Sequence, residues 1–157
     1  MSVRIRPYQP EDLPTLKQLT VEAFDGVSID QGMEKQFGVI HGHDWQWRKA
    51  RHLDVDVTRD PAGVFVAELD GQIVGCITTW QDREGGIGHI PNIAVAAGLR
   101  GQGLGRQLIE HAKQYFRSCG LTHAKIETLE QNSTGHHLYS SMGFQEVARQ
   151  IHLVAEL

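Results

Sequence analysis

The chain has 157 residues, of which 40% are hydrophobic, and a formal net charge of −4. This length predicts one domain over 1–157 with a sizeable core, and the acidic balance argues against nucleic acid as the main partner. No apolar run approaches the roughly 18 residues that cross a membrane, and the N-terminus lacks an apolar signal region, so we expect a cytoplasmic protein with no membrane partner.

Hydrophobic spacing predicts the elements of the N-terminal half. Alternation over 3–6 indicates a first strand, and apolar residues at helical spacing from Leu13 to Phe24 indicate a first helix. A second helix is expected over 32–51, where the apolar residues are only loosely periodic. Strands over 63–69 and 73–80 should form a hairpin, because Asp70-Gly71 suits a two-residue turn.

The C-terminal half alternates strands and helices. We expect a strand over 88–95, a helix over 104–116, a strand over 124–129, a helix that contains Tyr139 and a last strand region over 144–157. The predicted order is therefore βααβββαβαβ, an α/β (α+β) arrangement. Strands four and five flank a helix, so they should be parallel and joined by a right-handed crossover.

A glycine-rich stretch lies between the fourth strand and its helix. It reads Arg100-Gly101-Gln102-Gly103-Leu104-Gly105. Such a turn exposes amide N–H groups at the positive end of a helix, which binds phosphate. A nucleoside-triphosphate loop is excluded, because Gly105 is followed by Arg106 and Gln107 instead of Lys and Ser or Thr. Neither glycine register completes the dinucleotide pattern G-x-G-x-x-G.

A second motif follows the fifth strand. Asn132, a good helix N-cap, is followed seven residues later by Tyr139, so both project from nearly the same helix face. Gly143-Phe144 then ends the helix. These residues and the glycine-rich stretch resemble the two motifs of the GNAT superfamily of N-acetyltransferases, Arg-x-x-Gly-x-Gly and Asn-x-x-Ala-x-x-Leu-Tyr-x-x-x-Gly-Phe. The departure is Gly135 where the family has Ala.

The resemblance implies a GNAT-like mixed sheet of six or seven strands, in which strands four and five splay apart around the pantetheine arm of acetyl-coenzyme A. It implies acetyl-coenzyme A as cosubstrate and no metal. The residues expected to bind it are Ile93, Ala94, Val95, Arg100, Gly101, Gln102, Gly103, Leu104, Gly105, Arg106, Asn132 and Tyr139. The resemblance also implies a terminal pair of strands. In residues 144–157 this pair is expected to be shortened or merged into one strand.

The resemblance also implies the catalytic roles. Tyr139 is expected to protonate the departing thiolate, since a phenol is protonated at pH 7. Glu127, His89 or an ordered water is expected to deprotonate the amine; histidine is the side chain nearest to pKa 7 without tuning. The acceptor is an amine of a peptide, a protein or a small molecule. The alternative is a non-catalytic coenzyme A-binding sensor or interaction module, and a homodimer stays open.

Several other residues invite a functional interpretation. His41 and His43 resemble a metal site only weakly, because no second pair of ligands stands at a suitable spacing. Trp45 and Trp47 are candidates for an acceptor pocket or for the core. Cys76 and Cys119 are expected to be reduced thiols.

Overall fold

The computed structural model describes residues 2–157, in which five helices surround one five-stranded sheet. The elements in chain order are β1 (Arg4–Pro7), α1 (Leu13–Ala23), α2 (Ile29–Phe37), α3 (Trp45–Arg59), β2 (Phe65–Leu69), β3 (Gln72–Asp82), β4 (Ile87–Val95), α4 (Leu104–Ser118), β5 (His123–Ile126) and α5 (Ser133–Ser141). Short 3-10 turns precede α1, β2 and α4.

The strands lie side by side in chain order, and every neighbouring pair is antiparallel except β4 and β5. The parallel pairing expected for the two strands that flank α4 is confirmed. Asp70 and Gly71 have φ of 51° and 78°, so the predicted hairpin turn between β2 and β3 is confirmed. β5 pairs only with 87–90 of β4, and the second half of β4 therefore diverges from it.

The sheet has a hydrophobic cluster on each face. α4 packs on one face, where Leu108, Ile109 and Ala112 are fully buried. α1 and α3 pack on the other, around Leu16 and Leu53. The four-residue spacing of apolar residues in α4 places one stripe against the sheet, as its amphipathic pattern predicts.

An irregularity near Pro91 changes which face of the sheet the alternate side chains of β4 lie on. Asn92 lies opposite Thr78 and His89 lies opposite Trp80, so β4 holds one extra residue between these two pairs. Before the irregularity Ile90 packs in the α4 cluster, and after it Ala94 packs in the cluster below α1 and α3. Proline within a strand is typical of such a bulge, because it donates no hydrogen bond to a neighbouring strand.

The prediction of one helix over 32–51 was wrong, because two helices, α2 and α3, occupy this region. Gly38, His41 and Gly42 in the connection have φ of 76°, 54° and 74°. A helix cannot continue through such left-handed backbone. α3 instead begins after Asp44, whose side chain accepts a hydrogen bond from the amide of Trp47 at 2.8 Å, and this cap fixes the new helix start.

The expected strand count of six or seven was also wrong, since the sheet has five. The missing strand is the one predicted over 144–157, where no secondary structure forms. β5 is likewise shorter than expected and ends at Ile126. None of the helices found in residues 2–157 is long and apolar enough to span a bilayer.

Candidate functional site

A glycine-rich loop leads from β4 into α4 and presents unpaired backbone amides. Gly101 and Gly103 have φ of 77° and 83°, the left-handed region that favours glycine. Within residues 2–157, no amide of 101–106 donates to a backbone carbonyl. The loop therefore offers open donors at the positive end of a 15-residue helix, which is the arrangement that binds phosphate groups.

The two arginines beside this loop are anchored to neighbouring elements. The Nε of Arg100 donates to the carbonyl of Val95 at 3.2 Å, and the Nη2 of Arg106 donates to the Oγ of Ser141 at 2.6 Å. The guanidinium groups thus tie the loop to the end of β4 and to α5.

The other residues of the loop have packing roles. A Cβ on Gly105 would meet the side chain of Leu138 at 3.2 Å, so this glycine allows the close approach of α5 to α4. Leu104 is 4% exposed and anchors the helix start in the core. The side-chain amide of Gln102 donates to the carbonyl of Gly98 at 3.4 Å, which closes the loop on itself.

Ile93, Ala94 and Val95 form the end of β4, and one edge of this segment is open. They pair with β3 on one side. On the other side the pairing with β5 stops at Ile90, and no strand of the described chain covers the edge beyond it. An extended ligand can add to an edge of this kind through backbone hydrogen bonds.

Asn132 caps α5 through the oxygen of its side chain and is anchored to the preceding loop through the nitrogen. Its Oδ1 accepts from the amide of Gly135 at 3.1 Å, and its Nδ2 donates to the Oγ1 of Thr128 at 2.8 Å. A Cβ on Gly135 would collide with this carboxamide and approach the Tyr139 ring at 3.1 Å. Glycine at position 135, where the family has Ala, therefore leaves room for the Asn132 side chain in this chain.

Tyr139 lies on α5, half-buried beside the α4 cluster. Its ring meets that of Phe144 edge to face at 6.2 Å between centroids. Burial raises the pKa of the Tyr139 phenol above its ordinary value, because burial disfavours the charged phenolate. The phenol is therefore fully protonated at neutral pH and able to donate its proton.

His89 lies on the opposite face of the sheet, toward α3. Its ring stacks on that of Trp80 at 3.9 Å, and the guanidinium of Arg59 lies 3.4 Å from the centroid of the same indole. Burial lowers the pKa of His89 below its ordinary value, and the charge of Lys125 lowers it further. The imidazole is therefore mostly neutral at pH 7 and able to accept a proton.

Glu127 lies one residue past the end of β5 and is the more exposed of the two candidate bases. Its carboxylate pairs with Lys125 at 2.9 Å, and its side chain is 73% exposed. Lys125 is also the β5 partner of His89, and the Glu127 charge opposes the lowering of the His89 pKa. The structure thus brings the two candidates together around Lys125, whereas Tyr139 lies in the other layer.

A buried polar network at the bulge of β4 was missed by the sequence analysis. The Nζ of Lys49 donates to the Oδ1 of Asn92 at 2.8 Å. The Oδ2 of Asp56 accepts from the Nδ2 of Asn92 at 2.7 Å and from the hydroxyl of Thr78 at 2.8 Å. Burial lowers the pKa of Lys49 to about 8, opposed by the charges of Asp30 and Asp56. The available signal was Asn92 in the apolar second half of β4.

The loop between α1 and α2 faces the loop after β5. The side chain of Gln131 donates to the carbonyl of Gly26 at 3.4 Å. Nearby, Asp30 is 7% exposed and lies 3.1 Å from the Nε2 of His52, and the hydroxyl of Ser28 is buried without a partner among the described residues. Polar groups of α2 are therefore buried next to this junction.

Of the histidines and tryptophans singled out from the sequence, His43, Trp45 and Trp47 pack against neighbouring residues. His43 stacks on Trp47 at 3.4 Å between centroids, and Trp45 is 7% exposed in the protein interior. His136 and His137 are exposed on α5. Within residues 2–157, no three His, Cys, Asp or Glu side chains are grouped closely enough to hold a metal ion.

Comparison with known families identifies this architecture. The sequence profile of the acetyltransferase (GNAT) family matches residues 27–144, which include the glycine-rich loop, α5 and every candidate site residue. The chain belongs to this family.

Curated relatives cover different parts of the chain. A mycothiol acetyltransferase of Parafrankia is 27% identical over 94% of this chain and 53% of its own length. A streptothricin acetyltransferase of Streptomyces lavendulae is 42% identical over 51% of this chain and 43% of its own length. A mycothiol acetyltransferase of Streptomyces avermitilis is 33% identical over 54% of this chain and 28% of its own length. The chain thus spans about half or less of these relatives.

Solved structures share the fold. The PaiA N-acetyltransferase of Thermoplasma acidophilum, in complex with coenzyme A, superposes with a TM-score of 0.72 at 20% identity, covering 92% of this chain and 91% of its own. An IAA acetyltransferase of Bacillus cereus superposes with a TM-score of 0.66 at 25% identity, covering 94% and 79%.

Proposed function

We propose that the chain is an N-acetyltransferase that transfers the acetyl group of acetyl-coenzyme A to a primary amine. The observation that carries this proposal is the loop of open amides over 101–106 directly after the open edge of β4, in a chain of the GNAT family. The pyrophosphate would bind the loop amides, and the pantetheine arm would pair with Ile93–Val95. Asn132 would flank the arm on the α5 side.

Tyr139 and His89 are the proposed proton donor and acceptor. The amine nitrogen attacks the thioester carbon, the new C–N bond forms, and the C–S bond breaks. The amine proton goes to the base, and the departing sulfur takes the phenol proton of Tyr139. Of the three candidate bases, His89 is supported by its neutral, half-buried imidazole, whereas Glu127 is mostly exposed and ion-paired with Lys125.

The acceptor is proposed as a class, an amine of a peptide, a protein or a small molecule. The names of the relatives point to different acceptors, among them mycothiol and streptothricin. The acceptor would bind between the α1–α2 loop and the loop after β5, where Gln131 meets Gly26. This junction lies on the side of the sheet that holds His89 and the Lys49 network.

The test is release of free thiol from acetyl-coenzyme A against a panel of peptides, polyamines, amino acids and aminoglycosides. We expect release with one amine class, and a fall of about 10²-fold or more in Tyr139→Phe. Tyr115→Phe is the matched control, because it removes the same atom from a tyrosine on α4 whose hydroxyl accepts from Gln81, and its rate should stay near that of the wild type.

Two outcomes would contradict parts of the proposal separately. Tight coenzyme A binding without release against the whole panel would favour the non-catalytic binding module. Release that is equal in the wild type and Tyr139→Phe would keep the enzyme and remove Tyr139 from the role of general acid.

A further inference from the structure

Asn92, the first residue of β4 after the bulge, is held at three polar groups by buried partners. Its side-chain oxygen accepts from Lys49, its side-chain nitrogen donates to Asp56, and its backbone amide donates to the hydroxyl of Thr78, at 2.8, 2.7 and 3.1 Å. That hydroxyl in turn donates to the Oδ2 of Asp56 at 2.8 Å. All four residues are at most 8% exposed, so water does not compete for these hydrogen bonds.

The network adds direction to the packing of α3 on the sheet. Burying Lys49 and Asp56 is costly, because each charge leaves water, and apolar side chains of similar volume commonly fill such a space at equal or better stability. Hydrogen bonds, however, fix distance and angle together. The position and orientation of Asn92 are therefore set by α3 on one side and by β3 on the other.

The backbone that the network fixes leads directly to the open edge of β4. The backbone groups of successive strand residues point to alternate sides of the strand. The amide of Asn92 points to Thr78 on β3, and the amide of Ala96 donates to the carbonyl of Val74, also on β3, at 2.8 Å. The amide of Ile93 therefore points to the other side, where β5 no longer pairs.

We propose that Asp56 and Lys49 are positioning residues for acetyl transfer, which fix Asn92 and thereby hold the amide of Ile93 where it donates to the thioester oxygen. The inference rests on the proposed function, in which acetyl-coenzyme A lies along this edge. The thioester oxygen gains negative charge as the amine attacks, and an amide already in place stabilises that charge without reorganisation. Displacing such a donor by about 1 Å costs roughly 10²-fold in rate.

The first test compares two substitutions of Asp56. Its Oδ2 alone accepts both hydrogen bonds, from Asn92 and from Thr78, so Asp56→Asn keeps an oxygen for both and loses only the charge, whereas Asp56→Leu loses both. We expect kcat to fall by about 10²-fold in Asp56→Leu and to stay near that of the wild type in Asp56→Asn. KM for acetyl-coenzyme A should change little in either, because the loop over 101–106 still binds the pyrophosphate.

Two further variants accompany this comparison. Asp54→Leu is the matched control, because it removes a carboxylate of the same helix that pairs with Lys17 at the surface, and it should keep both kcat and KM. Thr78→Val keeps the shape of the side chain and removes the hydroxyl from the network, so it should lower kcat in the same way. It tests the network even where Asp56→Leu does not fold.

The second test needs no turnover and therefore separates this inference from the proposed function. It measures the infrared stretching frequency of the thioester carbonyl in ¹³C-labelled acetyl-coenzyme A bound to each protein without an acceptor. A hydrogen bond from the amide of Ile93 weakens the C=O bond and lowers this frequency. We expect the wild type and Asp56→Asn to lower it equally, and Asp56→Leu and Thr78→Val to lower it less at the same occupancy.

The outcomes distinguish the two proposals. Equal carbonyl frequencies in all proteins, or a wild-type kcat in Asp56→Leu, would overturn the positioning role. A loss of kcat in Asp56→Asn as large as that in Asp56→Leu would also overturn it, because the charge and not the hydrogen bonds would then be responsible. The expected frequency difference without thiol release from any amine would support the positioning role and contradict the proposed enzyme.

Discussion

The imidazole of His89 stacks on Trp80, and the charges of Lys125 and Glu127 shift its pKa in opposite directions. Its lowered pKa means that protonation requires a lower pH than it does for an ordinary histidine. A general base works in its neutral form, so kcat/KM of the wild type should decline as pH falls through that lowered pKa.

In His89→Gln we expect kcat/KM to fall by about 10²-fold and the acidic decline to disappear, because glutamine cannot accept the proton. The measurement is a pH profile of kcat/KM. Glu127→Gln is the control and should keep the rate near neutral pH, with the acidic decline moved to lower pH because the Glu127 charge no longer raises the pKa of His89. A His89→Gln enzyme with the wild-type profile would leave Glu127 or ordered water as the base.

Individual residues differed in how well sequence could predict their surroundings. Gly101 and Gly103 have the left-handed φ that a glycine-rich turn suggests, and local spacing sufficed for them. Lys49 and Asn92 are 43 positions apart, and a lysine in an amphipathic helix normally reaches water. Their pairing depends on how α3 lies on the sheet, which no local pattern contains.

At the scale of elements, the contact between β4 and α4 depends on a missing side chain. A Cβ on Gly88 would collide with the ring of Phe116, which is 3% exposed and held in the α4 cluster. Glycine at this position therefore sets how closely the helix approaches the strand.

We expect Gly88→Ala to lower the free energy of unfolding by about 1–3 kcal/mol, since overpacking forces the ring or the strand to shift. Urea unfolding monitored by circular dichroism measures it. Gly32→Ala is the matched control: it lies in α2 with no atom within 4 Å of the added methyl group, and alanine should stabilise that helix by up to about 1 kcal/mol. Equal stability of Gly88→Ala and the wild type would contradict the packing argument.

Elements with strong periodicity were predicted well, and those with mixed signals were not. The four-residue stripe of α4 and the hairpin at Asp70-Gly71 follow from local chemistry. The break between α2 and α3 requires positive φ at His41 as well as at two glycines, and histidine gives no warning of it. Residues 145–157 have the pattern of a strand, but a pattern does not say whether a partner strand lies in the same chain.

For the molecule as a whole, Lys49 links folding stability to pH. Its pKa is about 8 in the folded protein and 10.5 ordinarily. Between these values the unfolded chain binds more protons than the folded one, so this group makes stability rise with pH there. The gain is lost as pH falls from about 10.5 to about 8, because the unfolded chain takes up the proton first and folding must then bury the ammonium or release its proton.

We expect the free energy of unfolding of the wild type, relative to Lys49→Met, to increase from pH 8 toward pH 10.5 by up to ~3 kcal/mol, at about 1.4 kcal/mol per pKa unit. Urea unfolding across this range measures the difference. Lys17→Met, at a lysine paired with Asp54 on the surface, should follow the wild type. A difference between the wild type and Lys49→Met that is independent of pH would show that Lys49 does not titrate in this interval.

The pairing of β1 with β2 encloses residues 8–64 as a single excursion whose ends lie side by side, Pro7 opposite Phe65. The entropy of closing such an excursion grows only with the logarithm of its length. Insertions, deletions or exchanged sequence in the connections within it should therefore leave the sheet and the loop over 101–106 intact, provided that Leu16 and Leu53 still cover the sheet and that Lys49 and Asp56 still reach β4. Evolution or a designed library could in this way vary the part of the site contributed by residues 8–64. The phosphate-binding loop over 101–106 would stay unchanged.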